Sequence, residues 1–261
     1  MLELAQIFLS LIFGGLVGLL LGLLGGGGSI ITVPILVYLI GQDVHAATGT
    51  SLAIVFSSAL LGAFLHSRKG EVRLKSGITF GLMSVGGAVP GVFLNKIAAG
   101  NYVLVFFGFL MIIVAAVMLL KKTDSSQQEN ERVPCESYSF WDWVKMATIG
   151  LAVGILTGFF GVGGGFLIVP ALSLIGNFPT HQAVGTSLLI IAMTSSAGVL
   201  SNVSFGTINP GIVAFFVIGG FFGVLFGTVF AGRLSGRKLN VAFGIFVILV
   251  AVYLLYANIF I

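Results

Sequence analysis

Apolar runs dominate the chain. They cover roughly residues 4–24, 29–40, 46–65, 76–95 and 101–120, and, after a polar stretch at 121–142, residues 144–160, 166–176, 182–201, 210–231 and 239–260. Eight of these runs are 17–22 residues long, and a helix of about 20 residues crosses a hydrocarbon core of about 30 Å. The ten-residue alternation of a spanning barrel is missing, so the spans are expected to be helical. Two runs are too short. SIITVPILVYLI and FLIVPALSLIG each carry a proline, Pro34 or Pro170, and helices of that length reach only about half-way through a bilayer. The predicted fold is all-α and polytopic, with eight full spans and two half-helices.

The pattern repeats. Shifting the chain by 136 positions aligns residues 14–121 with 150–257 without a gap, and 31 of the 108 pairs are identical. GLLGGGGSIITVP falls on GFFGVGGGFLIVP, and HAATGTSLAI falls on HQAVGTSLLI. His45 thus matches His181, Thr50 matches Thr186, Ser51 matches Ser187 and Pro34 matches Pro170. A doubled membrane chain points to a carrier built from repeats. The expected division is a first repeat at 1–121, a linker at 122–143 and a second repeat at 144–261.

Charge supplies orientation. The loop after the third segment, HSRKGEVRLK, holds Arg68, Lys69, Arg73 and Lys75, whereas its counterpart NVSFGTINPG holds none. The last loop of the second copy carries Arg233, Arg237 and Lys238, where the first copy has only Lys96. Basic loops stay in the cytoplasm. This places 66–75, 121–145 and 232–238 inside and 96–101 and 202–210 outside. Equivalent loops then face opposite sides, so the repeats are expected to be inverted, with Glu3 and Ile261 outside. The N-terminal run, with Glu3 and no Lys or Arg, is read as a first span and not a cleaved leader. Trp141, Trp143 and Tyr138 resemble interface anchors, and Cys135 is a bystander in the linker.

Composition sharpens this picture. Only 8% of the 261 residues are charged and 57% are hydrophobic, with a mean hydropathy of +1.16. Soluble domains carry about 25% charge, so a cytosolic enzyme, a nucleic-acid reader and a disordered chain are excluded. One cysteine permits no internal disulfide and no cysteine metal cluster. Apart from Lys145 at the very start of the 144–160 run, no Asp, Glu, Lys or Arg lies inside a predicted span, and no HExxH, catalytic triad or P-loop occurs. No enzyme activity, cofactor or metal is therefore expected.

Polar chemistry within the membrane gathers in two doubled places. The first is the glycine run before each short segment, Gly25–Gly28 with Ser29, and Gly161 with Gly163, Gly164 and Gly165. Glycine admits positive φ and close backbone approach. The helix that follows offers unpaired N–H groups and its positive dipole end, which suit an anion. Tight helix crossing is the competing role for the same glycines. The second place is H-x-A-x-G-T-S-L, at 45–52 and 181–188. Placed in a first helical turn, Thr50, Ser51, Thr186 and Ser187 would offer hydroxyl and N–H donors without a fixed charge; capping and interhelical bonding are the alternative. The expected substrate site joins Gly27, Gly28, Ser29, Thr50 and Ser51 to Gly163, Gly164, Gly165, Thr186 and Ser187. His45 and His181 are either turn residues or proton-linked partners of the site. His66 reads as interfacial.

The doubled G-x-G-G-G-x-x-x-x-P followed by A-x-G-T-S-L resembles the sulfite exporter TauE/SafE family of bacterial and archaeal permeases, across essentially the whole chain. Ser29 stands where the pattern has a third consecutive glycine. The resemblance implies a multi-pass inner-membrane transporter for sulfite or organosulfonates, most often an exporter, with a small anion and the lipid bilayer as its partners. A channel, a carrier of another substrate, and a non-transporting scaffold are the alternatives.

Overall fold

The computed structural model describes residues 4–98, 100–120, 140–174, 178–203, 208–232 and 236–259. Lys121, Lys122, Cys135, Tyr138, Arg233, Glu3 and Ile261, about which the sequence made expectations, lie outside them. Among the described residues the structure is helical: α1 (Leu4–Leu24), α2 (Gly27–Pro34, extended by a π-turn at Ile35–Leu39), α3 (Val44–Arg68), α4 (Leu74–Ile97), α5 (Gly100–Leu120), α6 (Phe140–Phe160), α7 (Gly165–Leu174), α8 (Thr180–Val203), α9 (Pro210–Ala231) and α10 (Gly236–Ile259). Five stretches of the described residues are long and apolar enough to cross a membrane: Leu4–Leu24, Val44–Arg68, Leu74–Ile97, His181–Val203 and Pro210–Ala231. The chain is a multi-pass membrane protein. Helix α6 begins at Phe140, so the last residues of the expected linker are already helical.

Helix starts repeat at the interval of the sequence repeat: 4 and 140, 44 and 180, 74 and 210, 100 and 236. Packing follows the same exchange. Helix α1 lies on α9 as α4 lies on α6, and α3 lies on α9 as α8 lies on α4. Glycines make the two tightest crossings. On α1, Gly14, Gly18 and Gly22 press against the backbone of Phe216, Gly220 and Val224 in turn, so α1 and α9 run parallel. On α6, Gly154 and Gly158 meet Ser84 and Ala88 in the same way. Helices α3 and α8 are counterparts and run in opposite directions, since Gly62 meets Leu188 and Gly198 meets Leu52. Those two contacts exchange under the 136-residue shift.

Two apolar clusters form the core. One joins α1, α3 and α8 around Leu21, Ile54 and Leu188; the other ties α2 and the end of α6 to α5 and α10 through Ile30, Phe107, Phe160 and Ala251. Large apolar side chains such as Phe106, Phe109, Phe226 and Leu249 are exposed, the surface that lipid covers at no hydrophobic cost.

Candidate functional site: the paired glycine breaks

Both glycine runs end a long helix and start a short one. Gly25 and Gly161 take φ of +72° and +69°, and their N–H groups close the last turns of α1 and α6 on Leu21 and Thr157. Only glycine reaches this conformation cheaply. The two turns then differ. Gly163 and Gly164 also have positive φ, and α7 starts at Gly165, whereas α2 starts at Gly27. Ser29 supplies the reason, because its hydroxyl donates to the Gly26 carbonyl at 2.7 Å and closes the first turn of α2 early. Gly165 has no side chain to do this.

The breaks meet. A Cβ on Gly165 would sit 2.6 Å from the Gly26 α-carbon, and one on Gly26 would fall on the Gly165 carbonyl. Gly27 and Gly28 open the first turn of α2, where helix geometry leaves N–H groups without carbonyl partners, while the Ser29 N–H already donates to the Gly26 carbonyl at 3.3 Å. The expected residues are not equivalent, however. Gly28 is pressed on the backbone of Val17, and Gly164 on the Thr157 side chain, so both also serve close packing. Gly163 faces Ser195 on α8, whose oxygen would lie 2.9 Å from a Cβ there. Ser195 is fully buried, and its hydroxyl has no partner. Nothing in the repeated motifs pointed to Ser195, since its counterpart is Ala59.

The hydroxyl motif needs a correction. Helices α3 and α8 start at Val44 and Thr180, so Thr50, Ser51, Thr186 and Ser187 lie in the second turn and not the first. Asp43 caps α3 early by accepting the His45 N–H at 2.9 Å. The backbone N–H groups at the four positions are thus committed to the helix. Their hydroxyls are not idle either. Thr50 Oγ1 accepts the Asn209 N–H at 3.2 Å, and Thr186 Oγ1 accepts the Arg73 N–H at 3.0 Å. Each threonine ties one half to the helix start of the other, and each retains its own hydroxyl proton for donation. Ser187 donates to the Val184 carbonyl at 2.7 Å and lies 3.3 Å from that of Gly25. Ser51 is fully buried with no partner.

The histidines separate. His45 Nδ1 lies 3.1 Å from Asn95 Oδ1, and Asn95 donates to the Phe159 carbonyl at 2.7 Å, so His45 joins α3, α4 and α6. His181 is half-buried at the start of α8. His66, read as interfacial, packs inside the protein. It is fully buried, with Nδ1 2.6 Å from Glu71 Oε2 and Nε2 3.1 Å from the Gly22 carbonyl. Around it, Arg73 Nε donates to Gln182 at 2.7 Å and its guanidinium covers the Phe178 ring, while Lys69 donates to the Thr228 carbonyl. Among the described residues no three His, Cys, Asp or Glu side chains gather as a metal site requires.

Burial pushes the Glu71 carboxyl up, but its hydrogen bond to His66 and the charges of His66, Lys69 and His181 outweigh burial and hold it below its ordinary value of 4.5. A carboxylate depressed in the folded state adds stability above its unfolded value, and that stability is lost as pH falls through the folded one. Thermal stability in detergent is therefore expected to decline below about pH 4.5, and Glu71→Gln to flatten that acid limb. A Glu71→Gln curve that falls as steeply as the parent's would refute this.

A helical multi-pass protein whose helix starts recur at the repeat interval and whose two glycine breaks meet falls in the class of membrane transporters. The chain belongs to the sulfite exporter TauE/SafE family, whose profile matches residues 10–254. It is 36% identical to a probable membrane transporter protein of Xylella fastidiosa over 94% of this chain and 93% of that one. With probable membrane transporter protein YunE of Bacillus subtilis it shares 30% identity over 95% and 96%. A probable membrane transporter protein of Methanocaldococcus jannaschii is 28% identical over 76% and 73%. No solved structure matches the chain. It is a membrane transporter.

Proposed function

We propose that the protein is a secondary transporter of a small sulfur-containing anion, sulfite or an organosulfonate, and that it works as an exporter. Eight spans and two half-helices form two inverted repeats, 1–121 and 144–261, which rock about a midplane anion site. The observation that carries the reading is the meeting of Gly26 with Gly165, which brings two short-helix starts together away from water. In lipid each unsatisfied N–H costs several kcal/mol, so such ends demand protein, water or an anion. Gly27, Gly28, Gly163, Gly164 and Gly165 offer the anion neutral N–H donors beside Ser29, with Ser51 and Thr50 to one side of them along the antiparallel α3 and α8 and Ser187 and Thr186 to the other. The antiparallel run of α3 and α8 supports inversion. His45 and His181 stay at the edge of the site.

Two experiments test this. Proteoliposomes should take up 35S-sulfite saturably in exchange for internal sulfite, and hydrolyse nothing. Failure with sulfite, thiosulfate, taurine and sulfoacetate, alongside transport of an unrelated solute, would sink the substrate class. For orientation, the linker is cytoplasmic and both termini lie outside. An impermeant maleimide applied to intact cells should leave Cys135 unlabelled until the cells are opened; ready labelling from outside reverses the topology.

A further inference from the structure

The His66–Glu71 pair is not among the anion-site residues and has no counterpart in the second repeat. Its ring nitrogens face groups with different rules. Nε2 lies 3.1 Å from the Gly22 carbonyl, which only accepts, so Nε2 carries a hydrogen. Nδ1 lies 2.6 Å from a carboxylate oxygen, and that contact is attractive only with a proton between the two atoms. Without it, two lone pairs face each other. The pair therefore needs one further, removable proton.

The fold does not require this arrangement. At the exchange-related position the second repeat places Asn202, buried and neutral, with its amide donating to the Gly198 carbonyl at 2.9 Å. One repeat closes this corner without a titratable group; the other buries one, which is expensive within a membrane protein. The location gives the expense a use. Gly22 is three residues before the Gly25 break, and a Cβ on Gly185 would lie 2.6 Å from the Glu71 carbonyl and 3.2 Å from His66 Cβ. Gly185 directly precedes Thr186 and Ser187. The pair thus touches α1, α3 and the α8 motif where each approaches the breaks.

We propose that His66 and Glu71 together form the proton-binding site of the transporter, loaded when the anion binds and emptied when it leaves. This rests on the anion-carrier reading above and adds its coupling ion. With the proton bound the pair is neutral overall, as imidazolium beside carboxylate. Without it the pair carries one negative charge close to the anion site, so anion and proton favour each other's binding. Other charges acting on the pair are Lys69 from the end of α3 and His181 from α8; Arg68 lies over the Phe64 ring, Arg73 over that of Phe178, Lys75 is exposed, and α1 and α9 present no titratable side chain. Lys69 and Arg73 are already bound to Thr228 and Gln182. Outward movement of a doubly charged anion with one proton stays electrically favourable in a cell negative inside.

The test uses the full chain in proteoliposomes and the variants Glu71→Gln and His66→Asn, the latter borrowing the second repeat's residue. A one-unit pH gradient, acid outside, should raise accumulated 35S-sulfite about tenfold in the parent, the ratio one coupled proton sustains. Both variants should lose that response while still exchanging internal for external sulfite. Variants that keep it overturn the proposal, because the proton then travels on the sulfite. Nitrogen-15 spectra of labelled histidines decide independently of transport, with His66 assigned by its loss in His66→Asn. At pH 7 in saturating sulfite, His66 should show two protonated ring nitrogens in the parent and one in Glu71→Gln. A bare ring nitrogen in the parent overturns the proposal even if sulfite is carried. If no sulfur anion moves at all, the anion reading fails and these spectra still settle the pair.

Discussion

Replacing Gly26 by alanine should abolish most of the folded protein. A Cβ there would fall on the carbonyl of Gly165 and lie 2.7 Å from its α-carbon, so backbone faces backbone and no flexible side chain can yield. Gly26 is not left-handed, with φ of −151° and ψ of −13°. The chief penalty is the collision between the two halves. Overpacking commonly costs about 1–3 kcal/mol, and two rigid turns put Gly26→Ala at or above the top of that range. The control is Gly15→Ala on α1, whose Cβ meets only the Gly219 carbonyl at an ordinary 3.7 Å and should leave stability within about 0.5 kcal/mol. Melting and size-exclusion profiles in one detergent compare them. Equal stability of Gly26→Ala and the parent would mean that the breaks do not touch.

The hydroxyl motif should split into a binding residue and a structural one. Ser51 is buried with its hydroxyl unpartnered. Deleting an unsatisfied polar group is close to neutral or stabilising, so Ser51→Ala should melt no lower than the parent while binding sulfite about tenfold more weakly, the loss of one hydrogen bond to a charged group. Thr50→Val should do the reverse. It strips the acceptor from the Asn209 N–H and should destabilise by about 1–3 kcal/mol; Thr186→Val should act likewise on Arg73. Thermal shift with and without sulfite reads both effects. If Ser51→Ala binds like the parent, its hydroxyl is not part of the anion site.

The particulars explain why some features were legible and others were not. Helix type and rough limits follow from long apolar runs, because in a membrane the backbone must satisfy its own hydrogen bonds and only a few folds do so. The repeat was plain because His45, Thr50 and Ser51 recur together with their spacing. Boundaries were less secure. Polar residues such as Asp43, His45 and Thr180 extend α3 and α8 beyond the apolar window, which moved Thr50 and Thr186 into the second turn and gave their hydroxyls a partner in the opposite half.

Sequence by itself determined that the chain is a helical membrane protein, that it is doubled, that each copy is broken at a glycine run, and that it resembles one transporter family. These are local or periodic properties, and each residue carries its share of them along the chain. Tertiary structure alone decided which glycines touch, that Ser51 and Ser195 are buried without partners, and that His66 reaches both Glu71 and Gly22. Those contacts join residues from different helices, and that of His66 to Gly22 spans 44 positions. No period or motif encodes a distance across the bundle. It is fixed only when the glycine faces of α1, α4, α6 and α9 bring their backbones together.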